Sequence, residues 1–379
     1  MARTPGRFAS MPRADVVALA LVAAVVVGLL VLIGFFGRDT TTAAEENAPE
    51  VSESASPPTV PVADSGSGNP FSLVWVGDMM LGSTTPEARL PADPKASFTG
   101  VRELLSADVV TGNLEGPITD TGPRSKCDAR SECYMFSQPP EYASIYADAG
   151  FNVVNLANNH SNDRGDAGRE STMARLDAAG IAYTGLPGQV HERTVNGTKV
   201  AFLGFSHYTA TNSLTDLAEV SRQIGEAGGR NDVVVVFFHG GLEGDKGTRI
   251  SHTGDPGADF VKFAHTAVDA GADLVVGSGP HVLRAMEVYQ GRLIAYSLGN
   301  FATYGWFSLT PTTSTSAVLR VELGPDGAFR GGQLAPTKLT GKGTAAKGGD
   351  AVARVKGLTK SDFPDTGVTI SDDGAISSP

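Results

Sequence analysis

Residues 232–244 read DVVVVFFHGGLEG. An unbroken apolar run from Val233 to Phe238, with no polar alternation, reads as a strand covered on both faces, which is the habit of parallel sheets lying between other layers. Behind it stand a histidine, three glycines and a glutamate, residue types that end a strand and offer ligand atoms. The same arrangement recurs along the chain. FSLVWVG (71–77), DVVTGN (108–113), FNVVNLA (151–157), KVAFLGF (199–205), DLVVGS (273–278) and RLIAYSL (292–298) alternate with helical stretches, which predicts an α/β sheet protein. Asp148-Ala149-Gly150, Ala178-Ala179-Gly180 and Asp269-Ala270-Gly271 each close a helical stretch on a glycine able to take the left-handed stop conformation. SAVLRVEL (316–323), the turn Gly324-Pro325-Asp326-Gly327 and AFRGGQL (328–334) predict a hairpin, and a short helix is expected near 351–360.

The whole chain has 379 residues, 41% hydrophobic and 19% charged, enough for a sizeable core. Forty-one acidic against thirty basic residues give a net charge of −11 with no basic tract, so nucleic acid is not an expected partner. Two cysteines build neither a disulfide scaffold nor a four-cysteine zinc cage. A bound metal must therefore lean on carboxylates and imidazoles.

Val16 to Phe36 is uncharged over 21 residues, the length of a membrane-spanning helix. Arg3, Arg7 and Arg13 precede it, while Glu45, Glu46 and Glu50 follow, so the bias of positive charge puts residues 1–15 in the cytoplasm. Residues 37–70, rich in Ser, Pro, Ala and Glu, read as a flexible tether. The expectation is a single-pass cell-membrane protein with a main domain over 71–340 and an extension over 341–379, both outside the cell. A cleaved signal peptide is the rival, with Thr42-Ala43-Ala44 as small residues for a peptidase, although the apolar run exceeds the usual signal length. In that oxidising space Cys127 and Cys133 are expected to form a local disulfide.

Polar residues gather at the carboxyl ends of the predicted strands, where open α/β sheets place their sites. Asp78 ends VGDMMLG, Asn113 and Glu115 end TGNLEG, and Asn158, Asn159 and His160 end LANNHSNDRG. His239 and Glu243 follow in FFHGGLEG, His281 in GSGPHVLRAME and Asn300 in YSLGNF. Each alone has an ordinary explanation as a cap or a turn former. Together they make a donor set of carboxylate, amide and imidazole that suits manganese, iron or zinc, one ion or two.

These motifs, in order from about residue 71 to 340, resemble the CapA family of poly-gamma-glutamate capsule biosynthesis proteins, which is similar to calcineurin-like metallophosphoesterases. The resemblance implies an α/β/β/α sandwich of the metallophosphoesterase type. It also implies a role in capsule production outside the membrane, with the capsule polymer or its synthase subunits as partners. Position by position, Asp78, Glu115, Asn159, His239 and His281 correspond to metal ligands, and His160 to the histidine acting at the scissile group, so that His160 and Asp78 are the expected catalytic residues. Asn113, Arg164, His207 and Asn300 are expected to contact substrate, and Glu243 and Glu287 to orient ligand histidines.

Two departures stand out. Met80 occupies the place of a second first-motif histidine, and Gly279 that of the first histidine of HPH. His252 or Asp255 are candidate substitutes. A divalent-metal-dependent hydrolase is the leading expectation, and a non-catalytic scaffold tethering the polymer or a synthase subunit is the alternative.

Overall fold

The computed structural model describes residues 68–124, 126–127, 133–244 and 259–379. The apolar run 16–36, nearly all of the tether, His252 and Asp255 lie outside these residues. Among the described residues no helix is long and apolar enough to cross a membrane.

The chain builds half of one sheet, then all of a second, then returns to complete the first. β1 (Phe71–Met80), β2 (Val109–Leu114), β3 (Val153–Asn155) and β4 (Ala182–Thr184) lie side by side and parallel. β5 (His191–Val195), β6 (Thr198–Ser206), β7 (Val233–His239), β8 (Leu274–Ser278), β9 (Met286–Tyr289) and β10 (Arg292–Ala295) form the second sheet, in the order β5-β6-β7-β8-β10-β9. Its central four strands are parallel. β11 (Asn300–Thr303), β12 (Thr315–Leu323), β13 (Phe329–Thr340), β14 (Thr344–Lys347), β15 (Thr369–Ile370) and β16 (Ala375–Ser377) finish the first sheet, whose main path runs β15-β16-β13-β12-β1-β2-β3-β4. The expected hairpin is β12 and β13, and the expected late helix spans Ala351–Asp362. β14 and β16 both pair with β13, so the chain beyond 340 is woven into the sheet.

Side-chain alternation explains why the strands look apolar throughout. On β7, Val235 and Phe237 face the core between the sheets, while Val234, Val236 and Phe238 face the outer helices. On β1, Leu73 and Trp75 point between the sheets, and Val74 and Val76 point the other way. The first sheet's outer face packs on the helices Tyr142–Ala149 and Gly165–Ala178 through Tyr142, Ile145, Tyr146 and Leu176. The second sheet's outer face meets Val220, Ile224 and Ala227 of helix Leu217–Gly228, with Phe263 and Ala267 of helix Phe260–Asp269. Spacings of three and four put those residues on one helical stripe. The side chains of Asp216 and Asp259 cap these two helices by accepting from the Glu219 and Lys262 amides. The layers are helix, sheet, sheet and helix. All three predicted glycine exits, Gly150, Gly180 and Gly271, have positive φ.

Trp75 locks the two sheets together beneath the strand ends. Its ring stacks on Phe237 with centroids 5.0 Å apart, and its indole N–H donates to the Gly277 carbonyl at 3.2 Å. Asp78, His239 and Ser278 therefore emerge one to three residues above a single rigid contact.

Candidate metal centre

Asp78 is re-aimed by the sheet itself. The register of β1 shifts against β2 between Val76 and Asp78, and against β11 between Asp78 and Met79. Such irregularities redirect a side chain at a strand end. The Asp78 amide donates to the Gly299 carbonyl at 3.0 Å, and the carboxylate is fully buried. Its Oδ1 accepts from Asn113 Nδ2 at 2.9 Å and lies 3.5 Å from His239 Nδ1; its Oδ2 lies 3.0 Å from His281 Nδ1.

His281 stands on the short loop after β8 with φ of 59°, a left-handed conformation uncommon for a histidine. Strain of this kind concentrates at functional sites. The turn brings its Nε2 to 3.7 Å from Glu115 Oε1. Asp78, Glu115 and His281 each offer a ligand atom within 4.8 Å of the others. Both oxygens of the buried Glu115 carboxylate lack a hydrogen-bond partner among the described residues, and so does Asn159 Oδ1. A buried acceptor pair without donors is costly unless a cation meets it. The donor set fits a divalent ion of the manganese, zinc or iron type.

Electrostatics agree with a cation site. Burial alone would raise the Asp78 carboxyl, but hydrogen bonds with His239 and His281 hold it well below the usual carboxylate range. Burial pushes the Glu115 carboxyl well up, with His281 opposing in part. Burial works against the charged His281 ring, yet Glu115 and Asp78 outweigh it and the imidazole is pushed up to about 10.

A second group stands beside this triad. His160 Nδ1 lies 2.7 Å from Asp163 Oδ2, which also accepts from the Phe136 amide at 2.6 Å. Lys126 forms an ion pair with the other Asp163 oxygen. Nδ1 is thereby engaged, leaving Nε2 as the ring nitrogen open to the cleft. Burial, the larger influence, holds the His160 imidazole below its ordinary range against the pull of Asp163. The Cys127–Cys133 disulfide expected from the sequence is present, and it ties together the segments that deliver Lys126 and Phe136 to Asp163.

His281 of the triad and His160 line a cleft of about 400 Å³ whose wall includes Tyr134, Phe136, Asn159, Glu243, Asn300 and Trp306, while Asp78 and Glu115 lie buried behind His281. Asn300 lies beside Asp78 in the sheet and donates to the Thr313 carbonyl at 3.1 Å, while its Oδ1 has no partner among the described residues.

Other expected site residues are occupied differently. Asn113 does not present its amide to a substrate: besides holding Asp78, its Oδ1 accepts from Asn155 and Asn158, each at 3.0 Å. Arg164 is buried, with its guanidinium donating to the carbonyls of Gly122 and Pro123 and to Ser137 Oγ. His207 packs against Tyr208, with centroids 3.8 Å apart and the rings tilted by 40°, and is not among the residues lining the cleft. His239 engages Ser278 Oγ at 3.0 Å as well as Asp78, a bracing position beside the triad. Glu287 orients no site histidine; it lies 2.8 Å from His265 Nε2 and accepts from Tyr296 and Thr366. Met80 is buried, and its sulfur accepts from the Gly82 amide.

The sequence reading missed Asp163, Lys126 and the aromatic wall. Asp163 follows His160 by three residues and was open to detection from that spacing. Phe136 and Trp306 come from loops far apart in sequence, where no periodicity could link them.

Carboxylate and imidazole donors converging at the carboxyl ends of parallel strands define an α/β protein with a candidate metal centre. The family model described as Bacterial capsule synthesis protein PGA_cap matches residues 72–304, so the chain belongs to that family. It is 31% identical over 279 residues to the PGA biosynthesis protein CapA of Bacillus subtilis, covering 69% of this chain and 70% of that one. Over 279 residues it is 30% identical to the capsule biosynthesis protein CapA of Bacillus anthracis, covering 68% of this chain and 65% of the relative's length. A Mycobacterium tuberculosis protein described as a probable polyglutamine synthesis accessory protein is 28% identical over 241 residues, 56% of this chain and 60% of that one.

Proposed function

We propose that this protein is a CapA-like accessory protein of capsule synthesis, of the poly-gamma-glutamate type, and that it works as a divalent-metal-dependent hydrolase of phosphoesters. The apolar run 16–36 supports an N-terminal anchor that holds the domain on the outer side of the cell membrane, near the polymer or its synthase subunits. The observation that carries the metal reading is the Glu115 carboxylate, buried beside Asp78 and His281 with no hydrogen-bond partner for either oxygen among the described residues.

Asp78, Glu115 and His281 would hold the ion, with Asn159 at its edge. When bound, the ion supplies Lewis-acid polarisation of a phosphoryl oxygen. Asn113 and His239 fix the Asp78 carboxylate from behind. His160, held at Nδ1 by Asp163, would move a proton at Nε2.

A second reading is favoured by Met80 and Gly279, which remove two imidazoles expected from the metallophosphoesterase pattern: a scaffold that binds polymer or synthase without catalysis. Elemental analysis of the 379-residue chain after manganese or zinc loading tests the site. Near-stoichiometric metal in the parent, lost in Glu115→Gln and His281→Ala, is the expected result; equal metal content in all three overturns it. Hydrolysis of a phosphodiester by the loaded parent then separates hydrolase from scaffold.

A further inference from the structure

The wall of the cleft carries a statement about its substrate. Phe136 lies with its ring centroid 4.3 Å from that of His160, and Phe307 5.0 Å from that of His281. The two phenylalanines are 5.8 Å apart, and Trp306 and Tyr134 extend the cluster outward. Tyr134 is 57% exposed, the most exposed large apolar side chain among the described residues. The Arg89 guanidinium sits 3.9 Å over the Trp306 ring and holds it in place, while the indole N–H is buried without a hydrogen-bond partner among the described residues. A continuous aromatic surface thus leads from the two site histidines to solvent.

No lysine or arginine appears among the described residues lining the cleft, and its one carboxylate there is Glu243. An extended chain of carboxylates laid along this wall would place charge on apolar rings where, among the described residues, Arg89 is already paired with Glu87 and Lys126 with Asp163, which is unfavourable. A ring gains on the same surface, because aromatic faces and edges attract planar and CH-rich rings.

We propose that the cleft selects a phosphoester whose leaving group carries a ring, a nucleobase or a pyranose, rather than the acidic polymer. This rests on the phosphoester reading above. The phosphoryl group faces the Asp78–Glu115–His281 triad and the ring lies against Phe136, Phe307 and Trp306.

The test is binding to the manganese-loaded 379-residue chain, read by calorimetry and by quenching of tryptophan fluorescence. Only Trp75 and Trp306 emit, and Trp75 is sealed between the sheets. Four probes are compared: a nucleoside 5′-phosphonate, a pyranose methylenephosphonate, glycerol phosphonate as the ring-free control, and a short poly-glutamate. A ring-bearing probe is expected to bind about tenfold tighter than glycerol phosphonate and to quench fluorescence. The quenching should vanish in Trp306→Phe, and Tyr134→Ala should narrow the preference with metal content unchanged. Whichever ring probe binds tighter identifies the nucleobase or the sugar as the source. Equal affinity for ring-bearing and ring-free phosphonates, or tighter binding of poly-glutamate, overturns this inference alone. If no phosphonate binds while manganese does, the phosphoester reading falls with it.

Discussion

Gly279 and Gly240 cross so closely that a Cβ added to Gly279 would lie 2.6 Å from the Gly240 amide nitrogen and 3.1 Å from its carbonyl oxygen. Gly279 also has φ of 112°. The histidine absent at this position is therefore excluded by the path of the backbone. Gly279→His is expected to destabilise the protein by at least about 2 kcal/mol, through steric overlap and a disfavoured φ. It should not raise metal affinity. Urea unfolding together with metal titration checks both, and a stable variant that binds metal more tightly would sink the argument.

Asn113 acts behind Asp78. Asn113→Ala removes the donor to Oδ1 and the acceptor for Asn155 and Asn158. Loss of a group that orients a ligand carboxylate weakens metal binding by about 10- to 100-fold. The measurement is a metal Kd beside a circular-dichroism melt, to separate lost affinity from lost fold. Unchanged affinity would show that Asp78 needs no such support.

Trp75 joins the sheets just below the strand ends. Trp75→Ala is expected to cost about 3–5 kcal/mol as a large-to-small change in the core. It also orphans nothing but the Gly277 carbonyl, so Trp75→Phe should cost markedly less. Chemical denaturation of the pair distinguishes packing from the hydrogen bond.

Asp273 gives a pH signature remote from the candidate metal centre. Burial raises its carboxyl, against Arg292 and the Val234 amide, from 3.8 to about 6. The folded value lies above the unfolded one, so this group's stabilising contribution is fully present below pH 3.8 and is lost as the pH rises through about 6. Two units correspond to roughly 3 kcal/mol. Asp273→Asn should lose that dependence, and the difference in stability between parent and variant should drift over this window. A difference constant from pH 3.5 to 7 would show that Asp273 titrates as it does in the unfolded chain.

The strands were legible where side chains carry the pattern. Val233 to Phe238 and the run from Phe71 announced themselves because both faces of each strand are buried, so every position is apolar. β4, β11 and β14 were not legible: three or four residues are too few to establish a period, and these strands exist through backbone pairing with longer neighbours. β11 matters most, because it brings Asn300 opposite Asp78.

Sequence by itself determined the kind of chemistry, since a chain with two cysteines and with aspartate, glutamate, asparagine and histidine at successive strand ends has an oxygen and nitrogen donor set and no other. The tertiary structure decided which of those donors meet. The direction a side chain takes at a strand end depends on the register shifts beside Asp78 and the left-handed turn at His281, and on the Gly240–Gly279 crossing between two loops. None of these is encoded in residue type or spacing along one strand. For that reason Arg164 and Asn113, indistinguishable from site residues in the sequence, are turned inward to hold the frame, while Asp78, Glu115 and His281 converge.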